Sequence, residues 1–154
     1  MQSTPNLNES KEMADAYRLA FDDPEFLRRP ETRGIRFQLE LLKPELIQAE
    51  AGIHSTVVVF GSARFKSQAQ AQRQHLALSQ LPASAATLEA QAQALRDLEN
   101  ANYYEAARKF ARLASEACLS LSPQERLVIC TGGGPGIMEA ANRGAMEAGA
   151  PSVA

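Results

Sequence analysis

The sequence predicts an α/β fold with a doubly wound parallel sheet, and three features support this prediction. Two short runs rich in β-branched and apolar residues, 56–60 and 127–131, have the composition of strands that are buried on both faces. Each run ends in a turn that contains glycine, and helix-forming segments follow both turns. The order strand, helix, strand, helix is typical of a parallel sheet with helical crossovers.

Composition excludes several classes of function. The 154 residues suit one domain, and 16 basic against 18 acidic residues leave no positive excess for nucleic-acid binding. No apolar run reaches the roughly 18–20 residues of a membrane span, and the N-terminus lacks the pattern of a secretion signal. The two cysteines and two histidines lack metal-ligand spacing. We therefore expect a cytoplasmic protein without nucleic-acid, membrane, metal or cofactor partners.

The sequence of the first third of the chain predicts a polar arm followed by helices. Residues 1–10 are expected to be disordered, and residues 11–53 are expected to form helices. A short helix is predicted over 11–20. Apolar residues then recur every three or four positions over 35–49, which predicts a longer helix. Pro44 within it predicts either a kink or the start of a second helix.

Residues 54–154 are predicted to contain the sheet, with a helical insertion at about 66–119. The insertion contains no glycine and is rich in alanine and glutamine. It predicts helices over 67–80 and 84–119, with a break at Pro82. A helix of 36 residues would be about 54 Å long, so we expect it to kink or to protrude.

Two apolar stripes predict self-association. One stripe lies on the helix predicted over 35–49, and the other runs over 88–117. Two strands cannot cover both stripes, and an exposed apolar stripe marks an interface. We therefore expect a homodimer or a higher homo-oligomer.

The turn after the second strand is the stronger candidate for ligand binding. It comprises Gly132, Gly133, Gly134, Pro135 and Gly136, and a helix predicted over 137–148 follows it. Four glycines are explained if the backbone adopts positive φ or lies close to a ligand. The N-terminus of the following helix would favour a ligand with negative charge. The alternative is a tight turn that binds no ligand.

The spacing around this turn excludes two classes of nucleotide site. The dinucleotide pattern G-x-G-x-x-G would need glycine at Ile137. The Walker pattern would need Lys-Ser/Thr shortly after the glycines, where Glu139 and Ala140 stand instead. A mononucleotide or a sugar phosphate remains as the candidate ligand.

Three side chains on the following helix extend the candidate site. Glu139 is either a carboxylate that accepts ribose hydroxyl groups or a surface acid that suits the start of a helix. Met138 belongs to the small apolar face that packs on the sheet. Asn142 is a polar edge of that face.

The turn after the first strand comprises Gly61, Ser62, Ala63 and Arg64. Ser62 either donates to a ligand oxygen or caps the next helix. Arg64 either meets a phosphate or is an exposed charge. Lys66, just beyond this turn, is expected to be a surface residue.

Three segments of the chain closely resemble the LOG (Lonely guy) family, whose members were formerly labelled lysine decarboxylases. These segments are VVVFGSAR at 57–64, YYEAAR at 103–108 and GGGPGIMEAANRGA at 132–145. The resemblance covers about residues 33–150. It implies a Rossmann-like nucleotide-binding domain, of which residues 54–154 are the first part.

The resemblance also implies an activity. Characterised members hydrolyse the N-glycosidic bond of a purine nucleoside 5′-monophosphate, AMP or a cytokinin ribotide, to the free base and ribose 5-phosphate. It implies a substrate site formed by Gly61, Ser62, Ala63, Arg64, Gly132, Gly133, Gly134, Pro135, Gly136, Met138, Glu139 and Asn142. The alternatives are a non-catalytic nucleotide or molybdenum-cofactor binding protein and a dimerising fragment without activity.

One departure from the family bears on catalysis. The family's second motif, Pro-Gly-Gly-x-Gly-Thr-x-x-Glu, does not occur in the 154 residues. That motif carries much of the phosphate contact and a catalytic glutamate in the family. The catalytic residues are therefore expected beyond Ala154, the sheet is expected to be incomplete in this chain, and its activity is expected to be impaired.

Overall fold

The computed structural model describes residues 17–154. The predicted arm at 1–10 and residues 11–16 of the first predicted helix lie outside the described residues. Within the described part of that helix, 17–19 are not helical, and Ala20–Asp22 form a 3₁₀ turn. The predicted helix therefore does not extend to residue 20.

The described residues divide into two compact units, of which the first ends at Gln48 and the second spans Ala49–Ala154. Helix α1 spans Pro24–Leu27, a 3₁₀ turn spans Pro30–Thr32, and helix α2 spans Arg33–Glu50. Helix α2 continues through Pro44, so the prediction that a second helix starts there is wrong. Pro44 leaves the carbonyl of Glu40 without its helical donor, and Glu40 is exposed, so water can donate to this carbonyl instead.

The second unit contains a sheet of three strands and three helices. Strands β1, β2 and β3 span Ser55–Val58, Leu127–Cys130 and Ser152–Val153, and helices α3, α4 and α5 span Gln68–Ser79, Ala85–Cys118 and Ile137–Glu147. The strands are parallel in the order β1-β2-β3, with Val57 beside Ile129 and Ile129 beside Ser152. The predicted α/β class is confirmed, and β3 is too short to have shown a pattern in the sequence.

Helices cover one face of this sheet. Val57 and Ile129 pack against Ala111 of α4 and against α5. At the alternate positions of the first strand and its extension, Val58 is 63% exposed and Phe60 is 81% exposed. The prediction that the first strand is buried on both faces is wrong, because the helices pack against the side of β1 that carries Val57 and leave the Val58 side exposed.

Capping boxes fix where the helices of the insertion begin. The Ser67 hydroxyl accepts a hydrogen bond from the Gln70 amide (3.3 Å), and Gln70 Oε1 accepts one from the Ser67 amide (3.1 Å). Ser84 and Thr87 make the same reciprocal pair at the start of α4. Ser67 therefore caps the helix after the first turn, and the alternative role of Ser62 as that cap is wrong.

Helix α4 is continuous over 34 residues, which corresponds to about 51 Å. Its buried residues are mostly small and recur every three or four positions: Ala94, Asp97, Ala101, Tyr104, Ala111, Ser115 and Cys118. The larger residues of the predicted stripe lie elsewhere, and Leu95 and Phe110 are about half exposed. The small residues let α3 and α5 pack closely on α4, so the core side of α4 is not the stripe of large apolar residues.

Gly144 marks the closest approach of α4 and α5. A methyl group at Gly144 would overlap the backbone carbonyl of Arg108 and lie 2.9 Å from the Arg112 nitrogen. Because backbone atoms cannot move aside, we expect Gly144→Ala to lower the free energy of unfolding by about 3 kcal/mol. Thermal unfolding followed by circular dichroism measures this. Gly132→Ala, whose methyl would make an ordinary contact 3.5 Å from Met138 Sδ, is the control; equal melting temperatures for the two variants would contradict the packing.

Candidate active site

Two cavities meet at Pro135 and Glu139. The first has a volume of about 650 Å³ and the second of about 360 Å³. Beyond Pro135 and Glu139, the first is lined by Gly133, Gly134, Asn142, Arg143 and Met146, and at its far side by Ala150 and Ser152. The second is lined by Ala63, Phe65, Lys66, Gln70, Gln74 and Gly136. Both lie where the turns leave the carboxyl ends of the parallel strands, the usual place for ligands in such sheets.

The two glycine-containing turns pack directly on each other. The Ile137 amide donates to the Ser62 carbonyl at 3.2 Å. A methyl group at Gly136 would overlap that same carbonyl, and one at Gly61 would lie 2.9 Å from Ile137. Gly61 and Gly136 are therefore required for contact between the turns. This contact explains why glycine stands at these two positions without any ligand. Gly133, with φ of +69°, lines the first cavity.

Glu139 belongs to a three-residue network at the boundary of the cavities. The buried Tyr104 donates its hydroxyl to Glu139 Oε1 at 3.2 Å and accepts a hydrogen bond from Arg143 at 3.2 Å. Arg143 also lies 3.4 Å from Glu139 Oε1. Burial raises the pKa of Tyr104, the hydrogen bond from Arg143 opposes this, and the Glu139 charge adds to it. Tyr104 therefore stays a neutral donor that holds the Glu139 carboxylate in place.

Asn142 presents an unused acceptor beside the first cavity. Its Nδ2 donates to Thr131 Oγ1 at 2.8 Å, and the same Thr131 oxygen accepts from the Gly133 amide at 3.1 Å. Asn142 Oδ1 is buried and has no hydrogen-bond partner among the described residues. A buried amide oxygen without a partner is costly, so a ligand hydroxyl or amine that donates to it would be favoured.

Lys66, which the sequence predicts as a surface residue, is partly exposed and also forms an ion pair with the buried Asp97. Its ammonium donates to Asp97 Oδ2 at 2.7 Å and to Gln74 Oε1 at 2.5 Å. Burial would raise the pKa of the Asp97 carboxyl, but the hydrogen bonds from Lys66 and Gln93 and the charges of Lys66 and Arg96 lower it. The pair joins the loop after β1 to helix α4. Lys66 lines the second cavity, and Asp97 holds its ammonium from outside that cavity.

The lowered pKa of Asp97 makes stability depend on pH. The unfolded chain binds more protons than the folded one between the two pKa values, so this contribution is complete above the unfolded value of 3.8 and is lost as pH falls through the folded value. At pH 7 we expect Asp97→Asn to lower the free energy of unfolding by about 1–3 kcal/mol. Urea unfolding of both proteins from pH 7 to pH 3 tests this. A difference between the two that stays constant below pH 4 would contradict the ion pair.

The structure brings part of the predicted site together. Gly133, Gly134, Pro135, Glu139 and Asn142 line the first cavity, and Ala63 and Gly136 join the second. Gly61, Ser62, Arg64, Gly132 and Met138 line neither. The Ser62 hydroxyl instead accepts a hydrogen bond from the Arg64 amide at 3.2 Å within its own turn, and the Arg64 side chain is exposed.

Several lining residues were not predicted. Arg143 could have been found, because it is one helical turn from Glu139 on the same face. No sequence pattern indicated that Phe65, Gln70 and Gln74 belong to the site. Their position depends on how the insertion folds back beside the turn.

Comparison with known proteins gives no match: no protein-family model, curated protein or solved structure matches this chain. None of the helices in the described part of the chain is both long enough and apolar enough to cross a membrane.

Proposed function

We propose that the chain binds a nucleoside 5′-monophosphate in the first cavity and belongs to the LOG family, with a Rossmann-like domain around this site. The observation that carries the proposal is the juxtaposition of the Gly133–Gly134 backbone with Glu139 and the unpartnered Asn142 Oδ1 around one cavity. Three parallel strands in sequential order, with the cavity at their carboxyl ends, support the Rossmann-like architecture.

The charges around the first cavity suggest how the nucleotide lies. Arg143 lines this cavity, and its pairing with Glu139 is looser, at 3.4 Å, than that of Lys66 with Asp97 at 2.7 Å. The start of α5 adds a partial positive charge there. The 5′-phosphate is placed beside Arg143 and the glycine backbone. Glu139 accepts hydrogen bonds from the ribose hydroxyl groups, and Asn142 Oδ1 accepts a further one.

The proposed reaction is hydrolysis of the N-glycosidic bond of AMP or a cytokinin ribotide. Cleavage of such a bond passes through a sugar with oxocarbenium character, which a carboxylate stabilises while water attacks. Glu139 is the one carboxylate that lines either cavity in the described part of the chain. Because glycoside hydrolysis ordinarily uses a pair of carboxylates, this observation favours the alternative of a non-catalytic nucleotide or molybdenum-cofactor binder.

Release of adenine from AMP separates these two functions. The purified chain is incubated with AMP, and adenine and ribose 5-phosphate are quantified by chromatography. Hydrolysis predicts both products in equal amounts, above the rate without protein. Saturable AMP binding without any release of adenine would contradict hydrolysis by the residues of this chain and leave nucleotide binding as its function.

We also propose that the chain is cytoplasmic and self-associates into a homodimer or a higher oligomer. Leu88, Leu95, Phe110 and Leu113 on α4 are each about half exposed, which supports an apolar contact surface. Light scattering at increasing protein concentration tests this. A constant monomer mass at high concentration would contradict it.

A further inference from the structure

The second cavity contains side chains from the helical insertion beside the proposed ribose position. Lys66, Gln70 and Gln74 line it together with Phe65, and Glu139 lies at its boundary with the first cavity. Its volume of about 360 Å³ is within the range of pockets that hold small molecules. A ligand whose ribose lies at Glu139 can therefore extend from one cavity into the other.

The charges of the second cavity disfavour a phosphate. The Lys66 ammonium is already paired with the Asp97 carboxylate at 2.7 Å. Glu139 adds a negative charge at the boundary. With no positive charge in excess, this cavity suits a neutral group better than an anion.

The remaining groups of the second cavity suit a flat ring with hydrogen-bond acceptors. The Nε2 donors of Gln70 and Gln74 make no hydrogen bond within the described residues, while the Oε1 atoms accept from Ser67 and Lys66. The Phe65 ring stacks on Tyr103 with ring centroids 5.4 Å apart, which fixes its plane. An aromatic wall with amide donors matches the ring faces and ring nitrogens of a purine.

We infer that the second cavity is the base subsite, in which insertion residues bind the heterocyclic base of the nucleotide. This inference rests on the proposed nucleotide binding and adds to it the source of base specificity. The insertion supplies the base contacts, while the glycine turn and Glu139 bind the ribose 5-phosphate part that every nucleotide shares.

The test compares AMP with ribose 5-phosphate, which lacks the base. Gln70→Glu removes the Nε2 donor but keeps the oxygen that accepts from the Ser67 amide, so the capping box and the fold are preserved. Gln72→Glu adds the same charge to an exposed position of the same helix and is the matched control. Affinities are measured by NMR titration of the backbone amides.

We expect Gln70→Glu to weaken AMP binding at least fivefold and to change ribose 5-phosphate binding less than twofold. Gln72→Glu should change both less than twofold. If Gln70→Glu leaves the ratio of the two affinities unchanged while AMP still binds, the base subsite is wrong and the proposed function stands. If neither ligand shifts the amides of the glycine turn in the unaltered protein, the proposed function fails, and the base subsite fails with it.

Discussion

Gly136→Ala is expected to have the largest effect on stability of any glycine substitution in the two turns. Gly136 has φ of +73°, a region that L side chains rarely adopt, and its methyl group would overlap the Ser62 carbonyl. It would also lie 3.0 Å from two backbone atoms of Ala63. Strain and overlap together should lower the free energy of unfolding by about 2–6 kcal/mol. This corresponds to a fall in melting temperature of roughly 6–20 °C for a chain of this size.

The neighbouring glycine gives the matched control. Gly134 does not have positive φ, and a methyl group there would meet only the flexible end of the Met138 side chain. Gly134→Ala should therefore change stability by less than about 1 kcal/mol. Differential scanning calorimetry of both variants is the measurement. Similar melting temperatures would show that the two turns are not in the close contact described.

Glu139→Gln is expected to have the largest effect on ligand binding. The substitution keeps the shape of the side chain and its hydrogen bond from Tyr104 but removes the negative charge. Hydrogen bonds from ribose hydroxyl groups to a charged acceptor contribute about 1.5–3 kcal/mol, so AMP affinity should fall by about 10- to 150-fold. Isothermal titration calorimetry with AMP measures the change.

Glu147→Gln is the control for charge on the same helix. Glu147 pairs with Arg108 and lines neither cavity, so AMP affinity should change less than about twofold. If Glu139 is a surface acid at the start of a helix, its substitution should alter stability by under about 1 kcal/mol and leave AMP affinity intact. An unchanged AMP affinity in Glu139→Gln would contradict the proposal that Glu139 binds the ribose hydroxyl groups.

Local patterns were sufficient to predict most of the second unit. The segments after the first turn are rich in helix formers and broken at Pro82, so the helix limits were predicted to within a residue or two of those that Ser67 and Ser84 cap. Helix α5 ends at Glu147, one residue before its predicted limit, and Gly149 with φ of +71° follows that end. These features depend on neighbouring residues alone, and the sequence contains that information directly.

Features that depend on contacts between distant segments were not predicted. The core side of α4 contains small residues such as Ala111, because α5 crosses α4 closely at Gly144. Apolar periodicity indicated instead a stripe that includes Leu95 and Phe110, which are about half exposed as a contact surface would be and do not form this core side. Lys66 is a further example, since its partner Asp97 is 31 residues away in sequence. Only the folded insertion brings these two side chains together.

Only the part of the candidate site that is local in sequence was predicted. Gly133, Gly134 and Glu139 are near one another in sequence and line one cavity. The hydroxyl of Tyr104, which holds Glu139, comes from a helix 35 residues earlier in the chain. A composition rich in glycine could not distinguish glycines that line the cavity from Gly136, which is required for contact between the two turns.

An NMR titration with AMP tests the central claim, nucleotide binding at the glycine turn, most directly. The backbone amide signals of Gly133 and Gly134 report on the turn itself. We predict saturable shifts at these amides with a Kd of about 1 mM or tighter, and a marked loss of affinity in Glu139→Gln. Amide signals that stay in place up to a large excess of AMP over this concentration would contradict the claim.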